Sequence, residues 1–282
     1  MDMRVLDLAT RPDFGIRGGE FAIPKKIHQI YFGDDLTDRL RANVQELKDL
    51  NPDWDHVLFD APAGEDYIRA HYGAEVLEAY HRLDPRYYAA RADLLRYLIV
   101  YQEGGVYLDI KSRFEGPIDQ FIKGDEGYVL AQWRNGPGEM HEGFGIHRDL
   151  AYVPGGEFQN FHVIGAPKHP FLAAVIETVL RNITAYAPWH AVGRTGVVRV
   201  TGPIAYTQAI FPLLGSHPCK RVRNEGEVGL QYSIPGAYDP SPANRRHYST
   251  FEAPVVRMSG ASALASRFFV KLRNLKTNAQ RP

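Results

Sequence analysis

Ala89 to Ser112, AARADLLRYLIVYQEGGVYLDIKS, reads as a helix, a Gly-Gly break and a strand, and it decides the fold class. Pro85 stands near the helix start and no Gly or Pro interrupts Tyr87 to Glu103. Gly104-Gly105 stop the helix where a left-handed residue is needed. Leu94, Leu95, Leu98 and Ile99 form one apolar stripe, while Asp93 and Arg96, three apart, are neighbours on another side of the cylinder. In the expected strand Val106 to Lys111, a period of two puts Val106, Leu108 and Ile110 on one face and Tyr107, Asp109 and Lys111 on the other. An aromatic ring, an acid and a base therefore point one way. Asp93 and Arg96 can equally be an ordinary helix-surface ion pair, worth about 0.3–0.5 kcal/mol. Polar side chains at the carboxyl end of a strand in an α/β sheet, however, tend to line a ligand crevice.

Outward from this block the pattern alternates strand and helix. Strand signals at Ile27–Phe32 and Val57–Phe59 flank a helix signal at Leu36–Leu50 closed by Asn51-Pro52, which predicts a βαβ unit and a mainly parallel sheet. A helix around Ala74–Arg82, a strand at Tyr128–Trp133 and a helix at Phe171–Tyr186 follow. Arg134 to Gly145, RNGPGEMHEGFG, carries four glycines and one proline. It is expected to be a mobile loop, either a lid or acceptor-recognition loop or a plain exposed connection.

The block resembles the sugar transferases with a DXD motif: glycosyltransferase family 32 and its relatives among capsular polysaccharide enzymes and glucosylating toxins. Their pattern is Ala-or-Ser-Asp, three residues to Arg-Tyr, then Gly-Gly-(Ile/Val)-Tyr-Leu-Asp-x-Asp. Ala92-Asp93, Arg96-Tyr97 and Gly104-Gly105-Val106-Tyr107-Leu108-Asp109 match it in order and spacing. Weaker likenesses run from about Ile23 to about His247. They are Ile23-Pro24-Lys25-Lys26-Ile27-His28-Gln29-Ile30-Tyr31, Asn51-Pro52-Asp53-Trp54, Phe158-Gln159-Asn160-Phe161, His169-Pro170-Phe171-Leu172 and Thr201-Gly202-Pro203.

The resemblance implies an α/β fold of the GT-A type and transfer of a sugar from a nucleotide-diphosphate sugar, UDP- or GDP-linked, to a glycan, lipid-linked or protein acceptor. Retention of anomeric configuration and a role in polysaccharide or capsule synthesis are implied with it. Asp93 and Arg96 would hold donor-sugar hydroxyls and orient the diphosphate, and Asp109 would reach the ribose or a manganese or magnesium ion. Tyr107 would line the donor site, and the backbone of His28, Gln29 and Ile30 would cradle the base. Asn160 would bind hydroxyls, and His247, with Arg257 as the competing alignment, would close over the diphosphate and serve beside Asp109 as a metal ligand.

This chain departs from the family at Lys111, which replaces the second Asp. A lysine ammonium about 4 Å from a divalent ion is repelled by roughly 8 kcal/mol at an effective dielectric near 20. Either Lys111 pairs with the diphosphate, or it turns away and Asp109 holds the ion with a C-terminal group. The departure also keeps open a catalytically lapsed nucleotide-sugar-binding domain. A glycoside hydrolase using two carboxylates is a further alternative. A Rossmann dehydrogenase is disfavoured because no Gly-x-Gly-x-x-Gly follows the first strand.

Composition sets the outer bounds. With 282 residues, 44% of them hydrophobic, the chain is expected to form one domain, with residues 1–22 as an extension and 272–282 as a frayed tail. Lys plus Arg and Asp plus Glu number 33 each, so no basic field recruits nucleic acid. A lone Cys219 suits a reducing, cytoplasmic setting. His141, His147, His162 and His169 show no zinc spacing. The segment from Arg267, RFFVKLRNLKTNAQRP, reads as a packed terminal helix or as a basic surface for peripheral membrane contact.

Overall fold

A computed structural model describes residues 21–33, 35–236 and 248–279, with the side chains of 248 and 273–279 excluded. Strand β1 (Lys26–Ile30) leads into helix α1 (Asp38–Leu50) and strand β2 (Asp55–Phe59), the expected βαβ unit. β1 and β2 pair in parallel, Ile27 opposite His56. Thr37 caps α1 by accepting from the Leu40 amide. Asn51 ends it by returning its side-chain amide to the Leu47 carbonyl at 2.8 Å.

The next helix, α2, spans Ala61–Arg82 rather than starting near Ala74. Asp60 accepts from the Ala63 amide at 2.8 Å and Pro62 sits in the first turn, a start signal that the two glycines of the segment obscured. Gly73, at φ 77°, kinks the helix between its two halves.

Helix α3 (Tyr88–Glu103) is buried on nearly every side from Asp93 to Tyr101, because α2 and α4 (Pro170–Thr184) pack against it over the sheet. Its polar residues are therefore interior, not a solvent-facing stripe. Gly104 (φ 66°) closes the helix and Gly105 (φ 94°) starts strand β3 (Gly105–Leu108). A Cβ on Gly105 would lie 2.5 Å from the Lys26 carbonyl oxygen, so glycine is needed there on two counts.

Strand β3 lies parallel to β1 and antiparallel to β6 (His162–Gly165). Beyond β6 come β5 (Tyr128–Leu130) and β7 (Lys220–Arg221), giving the order β2-β1-β3-β6-β5-β7 with β6 alone reversed. Short strands β4 (Arg113–Phe114) and β8 (Leu230–Gln231) make a separate ribbon.

The expected strand through Lys111 stops at Leu108, since the Ser112 amide bonds back to the Asp109 carbonyl at 2.8 Å and turns the chain. Alternation holds up to that point. Val106 and Leu108 join the core layer with Ile27, Leu47 and Trp54, whereas Tyr107 joins the layer under α2, α3 and α4. The helices α5 (Gly193–Val200) and α6 (Pro203–Ile210) complete that second layer. With β1, β2 and β3 parallel, their carboxyl ends open on one edge, and Asp109 is the first residue past that edge of β3.

A last helix, α7, spans Gly260–Ala279. It runs past the expected fraying point at 272 because no Gly or Pro interrupts Ala261 to Gln280. Ser266 and Val270 face inward, while Leu264, Phe268, Phe269 and Leu272 are exposed. No helix among the described residues is long and apolar enough to cross a membrane.

Candidate active site

Arg96 is the hub of the polar cluster at the end of β3. Its Nη2 lies 3.4 Å from Asp93 Oδ1 and 3.3 Å from Asp109 Oδ1, and its guanidinium sits 4.6 Å over the Tyr107 ring. The Tyr107 hydroxyl donates to Asp109 Oδ1 at 2.9 Å, and Arg96 Nη1 donates to the Asn160 carbonyl. The side chains of Asp93 and Arg96 are only 7% exposed against 23% for Asp109, so Asp109 is the face the cluster shows to solvent.

Both oxygens of Asp93 are served by protein donors. The Asn160 amide donates to Oδ1 at 3.1 Å and the Thr201 hydroxyl to Oδ2 at 2.9 Å. Asn160 also donates to the Tyr97 hydroxyl at 2.9 Å, and Tyr97 in turn donates to the Thr201 carbonyl at 3.0 Å. Asp93, Arg96 and Asn160 thus form a frame that holds Asp109 from behind.

Burial pushes the Asp93 carboxyl up to about 6, and Asp109 adds to the rise, against the opposing pull of Arg96, Thr201 and Asn160. Arg96 stays charged: burial works against it, but Tyr107, Asp109 and Asp93 together outweigh burial and raise its pKa. Because the folded pKa of Asp93 lies above the unfolded value, the native state binds this proton more tightly. The stabilising contribution of that proton is complete below about pH 4 and is lost as pH rises through 6. Its size is on the order of 2–3 kcal/mol. Asp93→Asn is expected to flatten the dependence of unfolding free energy on pH in that window, measured by urea denaturation at several pH values; an unchanged slope would place the titration elsewhere.

Lys111 stands in the turn after β3, not on the strand beside Tyr107 and Asp109. Its ammonium donates to the Tyr232 hydroxyl at 2.9 Å and lies 4.2 Å over that ring. The turn is fastened by Asn43, whose amide donates to the carbonyls of Ile110 (3.0 Å) and Ser112 (2.9 Å). The Ser112 hydroxyl donates to the Tyr232 carbonyl at 2.6 Å. Tyr232 packs edge-on against Trp133 and Phe161, and the Phe161 carbonyl accepts from the Asp109 amide. Tyr232 and Asn43 carry no motif and were not visible in sequence.

β1 carries the residues of the expected base cradle inside the sheet. The backbone of His28, Gln29 and Ile30 is paired with β2, and that of His28 also with β3. The His28 ring meets the Gly104 carbonyl at 3.0 Å, with burial lowering its pKa to about 4, and Gln29 meets the His56 ring at 2.9 Å. These groups build the sheet. A cavity of about 480 Å³ lined by Lys26, His28, Asp55, Val57, Tyr67 and Glu103 includes none of the Arg96 cluster.

Residues 134–145, expected to be a mobile loop, join the fold at Asn135, whose amide donates to the Gly155 carbonyl at 3.0 Å, and at His141. Glu157 accepts from Trp133 Nε1 at 2.8 Å and pairs with His147 at 2.7 Å, while Glu225 lies 3.4 Å from His141 and accepts from Gln159 at 2.7 Å. His169 caps α4, accepting from the Phe171 amide at 3.2 Å. These histidines serve as structural partners rather than converging on one point.

Arg257 is bonded through its backbone to the Arg82 carbonyl at 2.7 Å, and His247 lies outside the described residues. Among the described residues no three His, Cys, Asp or Glu side chains are placed to hold a metal ion. Asp109 is instead shared between a phenol and a guanidinium, with Lys111 in place of the second acid. The described residues alone do not fit the divalent ion that the family pattern implies.

Comparison with known proteins agrees with this architecture. Residues 37–127 match the family model described as glycosyltransferase sugar-binding region containing DXD motif. Through that segment the chain is similar to the DXD-motif sugar transferases. The mannosyl phosphorylinositol ceramide synthase SUR1 of Saccharomyces cerevisiae is 31% identical over 102 residues, 36% of this chain and 25% of that protein. The inositol phosphoceramide mannosyltransferase 3 of Schizosaccharomyces pombe is 28% identical over 184 residues, 65% of this chain and 43% of that protein. The chain therefore spans well under half the length of these curated relatives. The UDP-bound glycosyltransferase domain from the YGT toxin superposes with a TM-score of 0.50 at 9% identity, covering 76% of this chain and 81% of that one. The fold is thus of the GT-A glycosyltransferase type, a mixed, mainly parallel sheet flanked by helices.

Proposed function

We propose that this protein is a glycosyltransferase that moves a sugar from a UDP- or GDP-sugar to an acceptor hydroxyl with retention of configuration. The observation that carries the reading is Asp109, placed at the carboxyl edge of β3, fixed by Arg96 and Tyr107 and open to solvent. In the reaction the bond from the anomeric carbon to the diphosphate breaks and a bond from the acceptor oxygen forms on the same face. The acceptor's proton leaves with the departing diphosphate. Asp109 accepts donor hydroxyls, and the cations beside it offset charge growing on the leaving group.

The named activities of the two yeast relatives, both acting on inositol phosphoceramide, favour a hexose donor such as GDP-mannose and a lipid-linked acceptor over a glycan or protein one. The exposed face of α7 supports that choice. Leu264, Phe268 and Leu272 recur every four residues beside the exposed Arg267 and Lys271, a pattern suited to lying on an anionic bilayer. Flotation with phosphatidylserine vesicles is expected to carry the native chain, and Phe268→Glu to remain behind.

A two-carboxylate hydrolase fits the cluster poorly, since Asp93 is enclosed by Asn160, Thr201 and Arg96 and does not face a substrate. The test is release of free nucleotide from a panel of UDP- and GDP-hexoses, with and without inositol phosphoceramide. Acceptor-dependent release from one donor supports the reading. Cleavage of simple glycosides without nucleotide, or nucleotide binding with no release, would replace it with the hydrolase or the lapsed domain.

A further inference from the structure

Resting on the reading above of a nucleotide-diphosphate donor, we infer that this chain binds the donor diphosphate without a divalent ion and that Lys111, held by Tyr232, supplies the positive charge instead. Three observations carry the inference. Lys111 occupies the sequence position of the second acid, so charge at that place is reversed, and a lysine and a divalent ion sharing that space would repel one another. The ammonium is also positioned: it donates to the Tyr232 hydroxyl at 2.9 Å and rests 4.2 Å over the ring. Tyr232 is itself wedged against Trp133 and Phe161, and Asn43 and Ser112 lock the turn, which fixes the lysine's base relative to Asp109.

The remaining acid is already engaged. Asp109 Oδ1 accepts from Tyr107 and faces Arg96, an arrangement that suits hydrogen bonding to hydroxyls better than clasping a metal. Arg96 thus stands behind Asp109, and Lys111, two residues farther along the chain, stands on Tyr232. A lysine is a point charge with three rotatable donors, chemistry suited to phosphate oxygens. Tyr232 is a positioning residue in this scheme, acting through Lys111.

Calorimetric titration of UDP and GDP into the full chain, in manganese and again in EDTA, tests the inference, with the matching monophosphates as controls. Native protein is expected to bind one diphosphate with a Kd that agrees between the two conditions within about threefold. Lys111→Ala should weaken that diphosphate by about 10- to 100-fold and the monophosphate by much less, since the lost contact is charge-assisted. Lys111→Asp, which restores the family's second acid, should make binding depend on manganese. Circular dichroism melting of both variants confirms that they fold.

A native Kd that collapses in EDTA, or Lys111→Ala binding like native, would overturn the inference while leaving sugar transfer standing. Failure of the native chain to bind either nucleotide in either condition would sink the donor reading itself, and this inference with it.

Discussion

Asp109→Asn is expected to lower sugar transfer by about 10²- to 10³-fold while leaving the unfolding midpoint nearly unmoved. The substitution keeps shape and an acceptor oxygen for the Tyr107 hydroxyl, and Arg96 keeps Asp93 as its partner. What disappears is a carboxylate at the mouth of the site. A charge-assisted hydrogen bond there contributes about 1.5–3 kcal/mol, and with two donor hydroxyls, the neutral amide keeping part of each bond, a loss of about 3–4 kcal/mol gives the stated range. Steady-state kinetics with a saturating donor, alongside a thermal melt, check this. A variant with native kcat/KM would remove Asp109 from the mechanism, and one that loses activity only by unfolding would make it a structural residue.

Arg96→Met should act in the opposite way, through the fold. The methionine fills most of the same volume but strands Asp93 and Asp109 without the cation between them, and removing one partner of a buried charge cluster costs about 3–5 kcal/mol. The loss should be largest at neutral pH and shrink in acid, because Asp93, already raised to about 6, takes up a proton when its neighbour is gone. Pairing the change with Asp93→Asn should restore part of the stability, the sign of a coupled pair. Urea midpoints of the two single variants and the double variant at pH 5 and pH 7 measure all of this. Equal losses at both pH values, with no rescue, would mean that packing and not charge explains the effect.

The contrast between these two residues shows what the sequence could and could not convey. Spacing put Asp93, Arg96, Tyr107 and Asp109 in one neighbourhood, because helix and strand periods survive into the structure as far as Leu108. It did not rank them. Which carboxylate is sealed and which is open depends on Asn160 and Thr201, arriving from 64 and more residues downstream.

Lys111 was misplaced for a related reason. Alternation predicts a side-chain direction only while the ladder continues, and the ladder ends where the Ser112 amide turns back. The tyrosine that then receives the lysine lies 121 residues away and belongs to no motif. In the His28–Ile30 stretch the His28 backbone is paired with strands on both sides, while Gln29 and Ile30 pair with β2 alone, a difference that strand periodicity does not reveal. The βαβ unit, the Gly104-Gly105 break and the central helix were legible, since caps, breakers and long uninterrupted runs act locally.

The same locality explains α2. Asp60-Ala61-Pro62 is a sound helix start, yet Gly64 and Gly73 lower the intrinsic preference enough to hide the first half. Tertiary packing overrides that cost: a Cβ at Gly64 would meet the Leu95 side chain at 2.6 Å, so the glycine lets α2 approach α3 closely. A position that weakens the helix in isolation is thus what permits it to cover the helix carrying Asp93 and Arg96.

The most direct measurement is nucleotide release from the preferred UDP- or GDP-hexose by native protein and Asp109→Asn side by side, with the transferred sugar followed in the acceptor by mass spectrometry. Stoichiometric nucleotide and glycosylated acceptor from the native chain, with neither from the folded variant, is the predicted result. Equal product from both, or release of nucleotide with no sugar ever reaching an acceptor, would contradict it.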